Sequence, residues 1–332
     1  MQPDGARPLG TAATKIRELF TRHPANPVLT AADWPYPVGA VFNPAAAVVD
    51  GQTVLLCRVE DRRGMSHLTV ARSADGVGGW RVEPEPLIAG DPADDTSRWG
   101  VEDARITRVE ELGGWLIAYT AVGPAGPCVA LSVTQDFRTA ERVGVLMSPE
   151  DKDASVLSRH IGGQYVLFHR PVSRLSGRAD VWLSRSHDLR AWTSPEPVLT
   201  ARPGVWWDSV RVGMGPPPLK TPHGWLGFYH GVKWVADGLV YRVGLVLLDL
   251  DNPAVVLRRS DEWLLGPEQG YEVAGTAPNV IFPTGLVHDA ATDELRLYYG
   301  AADSSVAVAT ASLSQVLQYA LACPPADPAR VW

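Results

Sequence analysis

Two adjacent carboxylates and a guanidinium stand within one short run, Trp99-Gly100-Val101-Glu102-Asp103-Ala104-Arg105. These are side chains that proton transfer and the binding of polar ligands both use. The apolar segment behind them, from Ile106 to Tyr119, reads like sheet, so the pair belongs at the edge of a strand. A Glu-Asp pair there is also what a solvated turn looks like. Its weight comes from four other stretches that repeat its surroundings with different polar groups.

The recurring piece is a turn followed by a strand that ends in aromatic or polar residues. It occurs as Asp50-Gly51 to Arg58, Gly113-Gly114 to Thr120, Gly162-Gly163 to Arg170, His223-Gly224 to His230, and Asp293-Glu294 to Gly300. A second apolar run follows each, beginning at Leu68, Val129, Val181, Val243 and Val306. Several of these turn through an Asp (Asp75, Asp136, Asp188) toward a Trp such as Trp80 or Trp192. Five copies of roughly 50 to 65 residues, each with four short strands, predict an all-β, five-bladed β-propeller. A two-sheet sandwich would not require a repeated motif. The segment 11–22 reads as one short helix, capped by Thr11 or Thr14 and stopped by Pro24 and Pro27. Residues 1–332 are therefore expected to form one propeller domain, with 1–25 an N-terminal extension carrying that helix.

In a propeller, matching points of the blades surround one axis. Two such points are polar in nearly every copy. One set ends the recurring turn-and-strand piece or lies just beyond it: Arg58 with Glu60 and Asp61, Tyr119-Thr120, His169-Arg170, Tyr229-His230, and Tyr298-Tyr299 with Asp303. The other opens the first strand: Asn43, Glu102-Asp103, Lys152-Asp153, the segment from Asp208 to Gly213, and Asn279. Taken singly, His169 or Tyr298 is an ordinary hydrogen-bonded strand residue. Taken jointly, carboxylates and cations at the narrow centre describe a site for a polar, partly anionic ligand.

Composition narrows the class. The formal net charge is -7, and no Lys/Arg run exceeds two residues, which argues against a nucleic-acid partner. Three cysteines, Cys57, Cys128 and Cys323, are far apart and lack metal-ligand spacing, so neither a disulfide scaffold nor a zinc site is expected. No apolar run is long enough for a membrane span, and none precedes Thr11. A cytoplasmic location follows as an expectation, and homo-oligomerisation is left open. Twelve Trp against six Phe supply flat apolar surface that suits sugar faces as well as cores.

An ordered series of motifs runs through these copies: Phe42-Asn43-Pro44, Arg58-Val59-Glu60-Asp61 with Gly64 and Ser66, Gly100 to Arg105, Lys152-Asp153, and His169-Arg170-Pro171. It continues with Trp207-Asp208, Gly224-Trp225, Tyr229-His230-Gly231, Tyr271-Glu272 and Tyr299 to Asp303. From Asn26 to about Leu317 the chain thus resembles glycoside hydrolase family 130, the β-mannoside phosphorylases and related β-mannosidases. The family fold is a five-bladed propeller, in agreement with the repeat count. Ala104 stands where the family motif commonly has proline, and Leu157-Ser158-Arg159-His160 lacks a Phe-Pro-Glu found in many members. Some phosphorylases also have Arg-Asn where this chain has Lys152-Asp153.

The resemblance implies that Asp103 is the general acid, delivering its proton to the glycosidic oxygen through the mannosyl 3-hydroxyl. Inorganic phosphate, the co-substrate, then inverts the anomeric carbon and releases α-mannose 1-phosphate, with no metal or organic cofactor. It also implies a basic phosphate site, assigned to Arg170, Lys220 and His230. Asn43, Arg58, Asp61 and Asp303 are the candidates for holding mannose hydroxyls, beside Lys152 and Asp153. Trp207, Asp208, Tyr271 and Glu272 would shape the site for the departing sugar. The expected substrate is a short β-mannoside, β-1,2-linked first and β-1,4-linked second. The alternatives are an inverting β-mannosidase with Glu272 or Asp208 as base, and a non-catalytic sugar-binding propeller.

Overall fold

The computed structural model describes residues 19–172 and 177–326. Two short strands come first, β1 (Thr21–Arg22) and β2 (Leu29–Thr30). A first sheet follows, β3 (Ala40–Val49), β4 (Gln52–Glu60), β5 (Ser66–Ser73) and β6 (Arg81–Val82). The second holds β7 (Val101–Val109), β8 (Gly114–Gly123), β9 (Gly126–Thr134) and β10 (Glu141–Val145). The third holds β11 (Asp151–Val156), β12 (Tyr165–Pro171), β13 (Val181–Ser186) and β14 (Thr193–Leu199). The fourth holds β15 (Arg211–Met214), β16 (Leu219–Thr221), β17 (Gly224–Val235), β18 (Gly238–Leu248) and β19 (Val256–Arg259). A four-residue helix, α1 (Gly270–Val273), leads into the fifth, β20 (Ile281–Asp289), β21 (Glu294–Ala301) and β22 (Ser305–Ser312), after which comes α2 (Leu313–Ala322). Each sheet is an antiparallel meander, and the five form the blades of a propeller.

Each blade buries both faces, so its second strand is apolar at successive positions rather than at alternate ones. Val54 and Leu56 of β4 pack toward the second blade with Val101 and Ile117, while Leu55 and Cys57 pack toward the fifth with Tyr298 and Val306. The same division recurs at the other joints, giving one apolar cluster between every pair of neighbouring blades. The first strands β3, β7, β11 and β15 touch in turn, β20 touches β3 and β7, and together they line the axis.

The ring closes through the chain's beginning. Thr21 and Arg22 pair with Thr310 and Ala309 on the outer edge of the fifth blade, and β2 pairs with the other end of β22. This corrects the expected helix at its end: Leu19–Phe20 form a bend and 21–22 are strand, drawn out by the pairing with β22. Phe20 is buried edge-on against Phe228, 5.5 Å between ring centroids. The rest of that predicted helix lies outside the described residues. A helix does form at the other end, α2, where Ser312 accepts a hydrogen bond from the amide of Gln315 and Val316 and Ala320 face the core.

Candidate active site

The same local device appears in three consecutive blades. The pairing of β3, β7 and β11 with the next strand slips between Phe42 and Ala45, Glu102 and Arg105, and Lys152 and Ser155. The extra residues are Asn43, Asp103 and Asp153, with φ of 44°, 49° and 53°. A β-bulge re-aims one side chain, and Asn and Asp are the non-glycine residues that best tolerate the left-handed region. The Asn/Asp identity is therefore demanded by the backbone as well as by chemistry. The fourth blade reaches the centre differently: β15 stays in register, and Gly213 leaves room where a Cβ would overlap the His230 ring and the Asp153 carboxylate. Gly300 plays the same part for Asn43.

Asp103 is 4% exposed, and its Oδ1 accepts from Asn43 Nδ2 at 2.8 Å and from Arg58 Nη1 at 3.2 Å. Arg58 is fixed in turn by Ser66 Oγ at 2.9 Å and Glu102 at 3.0 Å, and it lies over the Phe42 ring. Burial works to raise the Asp103 pKa, but the charges of Arg58, Lys152 and Arg105 and the Asn43 bond outweigh it. The carboxyl is thus held below its usual range. Asp303 shows the opposite balance: burial and the Asp103 charge push it up to about 6, against the pull of Arg58 and Lys152. The two acids share one arginine and titrate apart, as interacting carboxylates do.

A cationic group lies beside them. Arg170 Nε donates to Asp153 Oδ2 at 2.6 Å, and His230 Nε2 is 3.5 Å from the same oxygen. His230 is fully buried and stacks near Phe282 and Tyr241, and neither ring nitrogen has a hydrogen-bond partner among the described residues. Burial, against Asp153, lowers its pKa to about 3, so it is a neutral imidazole with one N–H to give. Arg211 opens β15, with its guanidinium 5.9 Å from the Tyr241 ring centre. Burial raises the Tyr241 phenol, and the charges of Arg211, Arg170 and Lys152 pull it back down. Arg105 ties the halves together: it donates to the Asp103 carbonyl at 2.7 Å and the Gly215 carbonyl at 3.0 Å, 3.9 Å from Asp153.

The family model Glyco_hydro_130, described as beta-1,4-mannooligosaccharide phosphorylase, matches residues 17–321. The chain belongs to glycoside hydrolase family 130. It is 35% identical over 288 residues to a 1,2-beta-oligomannan phosphorylase of Thermoanaerobacter sp. (strain X514), covering 83% of this chain and 91% of the relative. A beta-1,4-mannooligosaccharide phosphorylase of Ruminococcus albus is 31% identical, covering 91% of each. Among solved structures, the beta-1,2-mannobiose phosphorylase of Listeria innocua in complex with beta-1,2-mannobiose superposes with a TM-score of 0.83 at 28% identity, covering 91% of this chain and 99% of that one.

Within this family 130 chain, the structure gathers Asn43, Arg58, Asp103, Lys152, Asp153, Arg170, His230 and Asp303. Lys220 is not with them. It is an exposed residue of β16 opposite Trp225, whereas Gly213 stands opposite His230. Five residues along β17 are about 16 Å at strand rise. Lys220 instead lines the far end of the ring with Val48, Arg108, Trp115 and His288. The cation that occupies the expected place is Arg211. It lies inside the Asp208–Gly213 segment singled out by the repeat, so the signal was present.

The expected leaving-sugar residues are corrected as well. Asp208 is fully buried and accepts from Arg202, Arg259 and Tyr229, while Trp207 stacks on Tyr229 in the cluster between the third and fourth blades. Glu272 accepts from Arg22 at 2.9 Å, Tyr299 at 2.8 Å and the amides of Glu268 and Gln269, and Tyr271 leans on the adjoining cluster. Asp61, expected to hold a mannose hydroxyl, is turned onto its own loop, taking the amides of Arg63 and Met65 and the Arg63 guanidinium.

Glu272 therefore fastens the N-terminal strand to the fifth blade. Glu272→Gln is expected to cost about 3 kcal/mol of stability by removing the buried charge that faces Arg22, with little change in turnover, as read by urea unfolding and initial rates. Asp303 gives a second expectation. Its folded pKa, about 6, lies above the 3.8 of a free carboxyl, so the folded state holds the extra proton. Stability then falls as pH rises through that window and stays lower above it. Asp303→Asn should be more stable than the parent near neutrality by up to about 3 kcal/mol, with the gap closing below about pH 4. Unfolding midpoints measured across pH check this.

Proposed function

We propose that this family 130 enzyme is an inverting phosphorylase of short β-mannosides, β-1,2-linked in the first instance, releasing α-mannose 1-phosphate. The observation that supports the reading is the buried Asp103 carboxyl beside three cations, Arg170, Arg211 and Lys152, and the neutral donor His230, with the buried Asp153 tied to Arg170. A hydrolase needs a second carboxylate about 6.5–9.5 Å from the acid to activate water. Asp208 and Glu272, the two acids expected as a base, are each held by arginine side chains, and Asp153 is tied to Arg170. Asp303 shares Arg58 with Asp103. Hydrogen phosphate needs no base, only cations that hold it and shield its charge.

The reaction balances without any further reactant. A phosphate oxygen bonds to the anomeric carbon, and the bond from that carbon to the glycosidic oxygen breaks. That oxygen takes the proton of the sugar's 3-hydroxyl, which is replaced from Asp103. The proton of hydrogen phosphate restores Asp103. Asp103 is held ionised by its cations; a bound phosphate dianion offsets that field and lifts the carboxyl toward the protonated state its role requires. Neutral His230 donates to the anion without competing for its proton. Asn43, Arg58 and Asp303 hold the mannosyl hydroxyls. The two relatives named as phosphorylases of β-1,2-linked mannosides support that linkage over β-1,4.

The test is incubation of enzyme with β-1,2- and β-1,4-mannobiose, with and without phosphate, followed by assay for mannose 1-phosphate. Equal release of free mannose in both tubes contradicts phosphorolysis. A panel of acceptor sugars with α-mannose 1-phosphate as donor identifies the leaving sugar. Arg211→Ala is expected to raise the phosphate KM at least about tenfold, while Lys220→Ala leaves it within about twofold, because an exposed charge some 16 Å away is screened. Initial rates against phosphate concentration distinguish the two.

A further inference from the structure

A buried chain of three residues stands behind the phosphate-binding cations and takes no part in the chemistry above. His169 Nδ1 is 2.6 Å from Asp151 Oδ2, and its Nε2 is 3.0 Å from Ser184 Oγ. The other Asp151 oxygen accepts the backbone N–H of Arg170 at 3.0 Å. The bonding order is that of a Ser-His-Asp relay, but the Ser184 hydroxyl is no nucleophile: the residue is 1% exposed, in the middle of the third blade. What the chain does is mechanical. It pins β11, β12 and β13 to one another along a diagonal of the sheet, from Asp151 opposite Pro171 to Ser184 opposite Leu167.

That diagonal starts beside the rung where the blade carries its cations. Lys152 on β11 and Arg170 on β12 are directly opposite in the ladder. Like charges facing each other across a ladder destabilise it. The pairing also slips just beyond this rung, between Lys152 and Ser155. A one-residue slip of β11 against β12 would turn Lys152 to the wrong face and part it from Arg170. Asp153 relieves part of the repulsion through Arg170 Nε. The Asp151–His169–Ser184 chain supplies the remaining restraint from the opposite face, since neighbouring residues of a strand point to opposite sides.

Resting on the phosphorylase reading, we infer that His169 is a positioning residue for the anion site: it bridges Asp151 and Ser184 so that Lys152 and Arg170 stay in register and both face phosphate. Loss of the bridge should weaken recognition of inorganic phosphate, and of the phosphoryl group of the sugar phosphate in reverse, more than recognition of the mannoside.

The experiment compares the parent enzyme with His169→Ala, His169→Asn and Ser184→Ala. It measures KM for phosphate, KM for the disaccharide, kcat and the unfolding temperature. His169→Ala is expected to raise the phosphate KM about tenfold or more, with the disaccharide KM within about threefold, since a small misplacement of a binding group is felt strongly. An amide at 169 can still donate to Asp151, so His169→Asn should recover most of the phosphate affinity. If the Ala variant does not fold, Ser184→Ala carries the same asymmetry at smaller amplitude, about threefold. Unchanged KM values in all variants, or both KM values rising together in step with lost stability, would overturn the inference. A parent enzyme indifferent to phosphate would instead overturn the phosphorylase reading on which it rests.

Discussion

Asp103→Asn is expected to lower kcat for phosphorolysis about 10³–10⁴-fold, at the upper end of what a positioned acid contributes, with the mannoside KM within a few-fold. The amide keeps the shape of the carboxyl and can still accept from Asn43 and Arg58, so the ground-state site survives while the proton is gone. Two accompanying effects separate loss of the acid from loss of structure. The folded Asp103 pKa is lowered, so the group contributes stability above the unfolded carboxyl pKa and loses it as pH falls through the folded value. The variant should therefore be less stable than the parent at neutral pH by about 1–3 kcal/mol, the difference closing in acid. Asp303 owes part of its upward shift to the Asp103 charge, so its pKa should fall from about 6 toward the ordinary carboxyl value. Steady-state kinetics and a carboxyl-resolved titration check these points. A variant that keeps a tenth of parental kcat would remove Asp103 from the chemistry.

Arg170→Ala should be nearly as damaging, through a different parameter. The phosphate KM is expected to rise at least about 100-fold, because charge-assisted contacts to an anion are lost where water is scarce. Asp153 is fully buried, and its 2.6 Å partner would be gone, leaving His230 at 3.5 Å and Arg105 at 3.9 Å. Stranding a buried carboxylate costs about 3–5 kcal/mol. Arg170→Lys should restore part of the stability but little of the phosphate affinity, since an ammonium cannot serve Asp153 and the anion in one planar fork. Phosphate saturation curves together with urea unfolding test both halves, and an unchanged phosphate KM in Arg170→Ala would move the anion site elsewhere.

What was legible in the chain followed from symmetry. Asn43, Asp103 and Asp153 come together because three blades use the same bulge, and the repeat marks that point before any coordinates exist. Arg58, Arg170 and His230 were legible on the same ground, as ends of matching strands. Errors arose where the decisive partner is remote. Asp208 and Glu272 have the side chain of a catalytic base; only Arg259, Arg22 and the tyrosines that fold onto them reveal that they are occupied. Lys220 was misplaced because the proline run before it hides how far β16 is from β15, a matter of register on β17 rather than of distance along the chain. Thr21–Arg22 read as helix because β22, their partner, is nearly three hundred residues away. By contrast α2 announces itself locally, with Ser312 as cap and Leu313, Val316, Leu317 and Ala320 on one face, and was overlooked among the strands.

The most direct measurement is proton and phosphorus NMR of one reaction, β-1,2-mannobiose with phosphate, followed from its first minutes. An acid on one side of the pyranose and cations on the other require that the first product be the α anomer of mannose 1-phosphate, formed in step with free mannose from the leaving side. The β anomer, or mannose appearing from both halves with no sugar phosphate, would contradict the account.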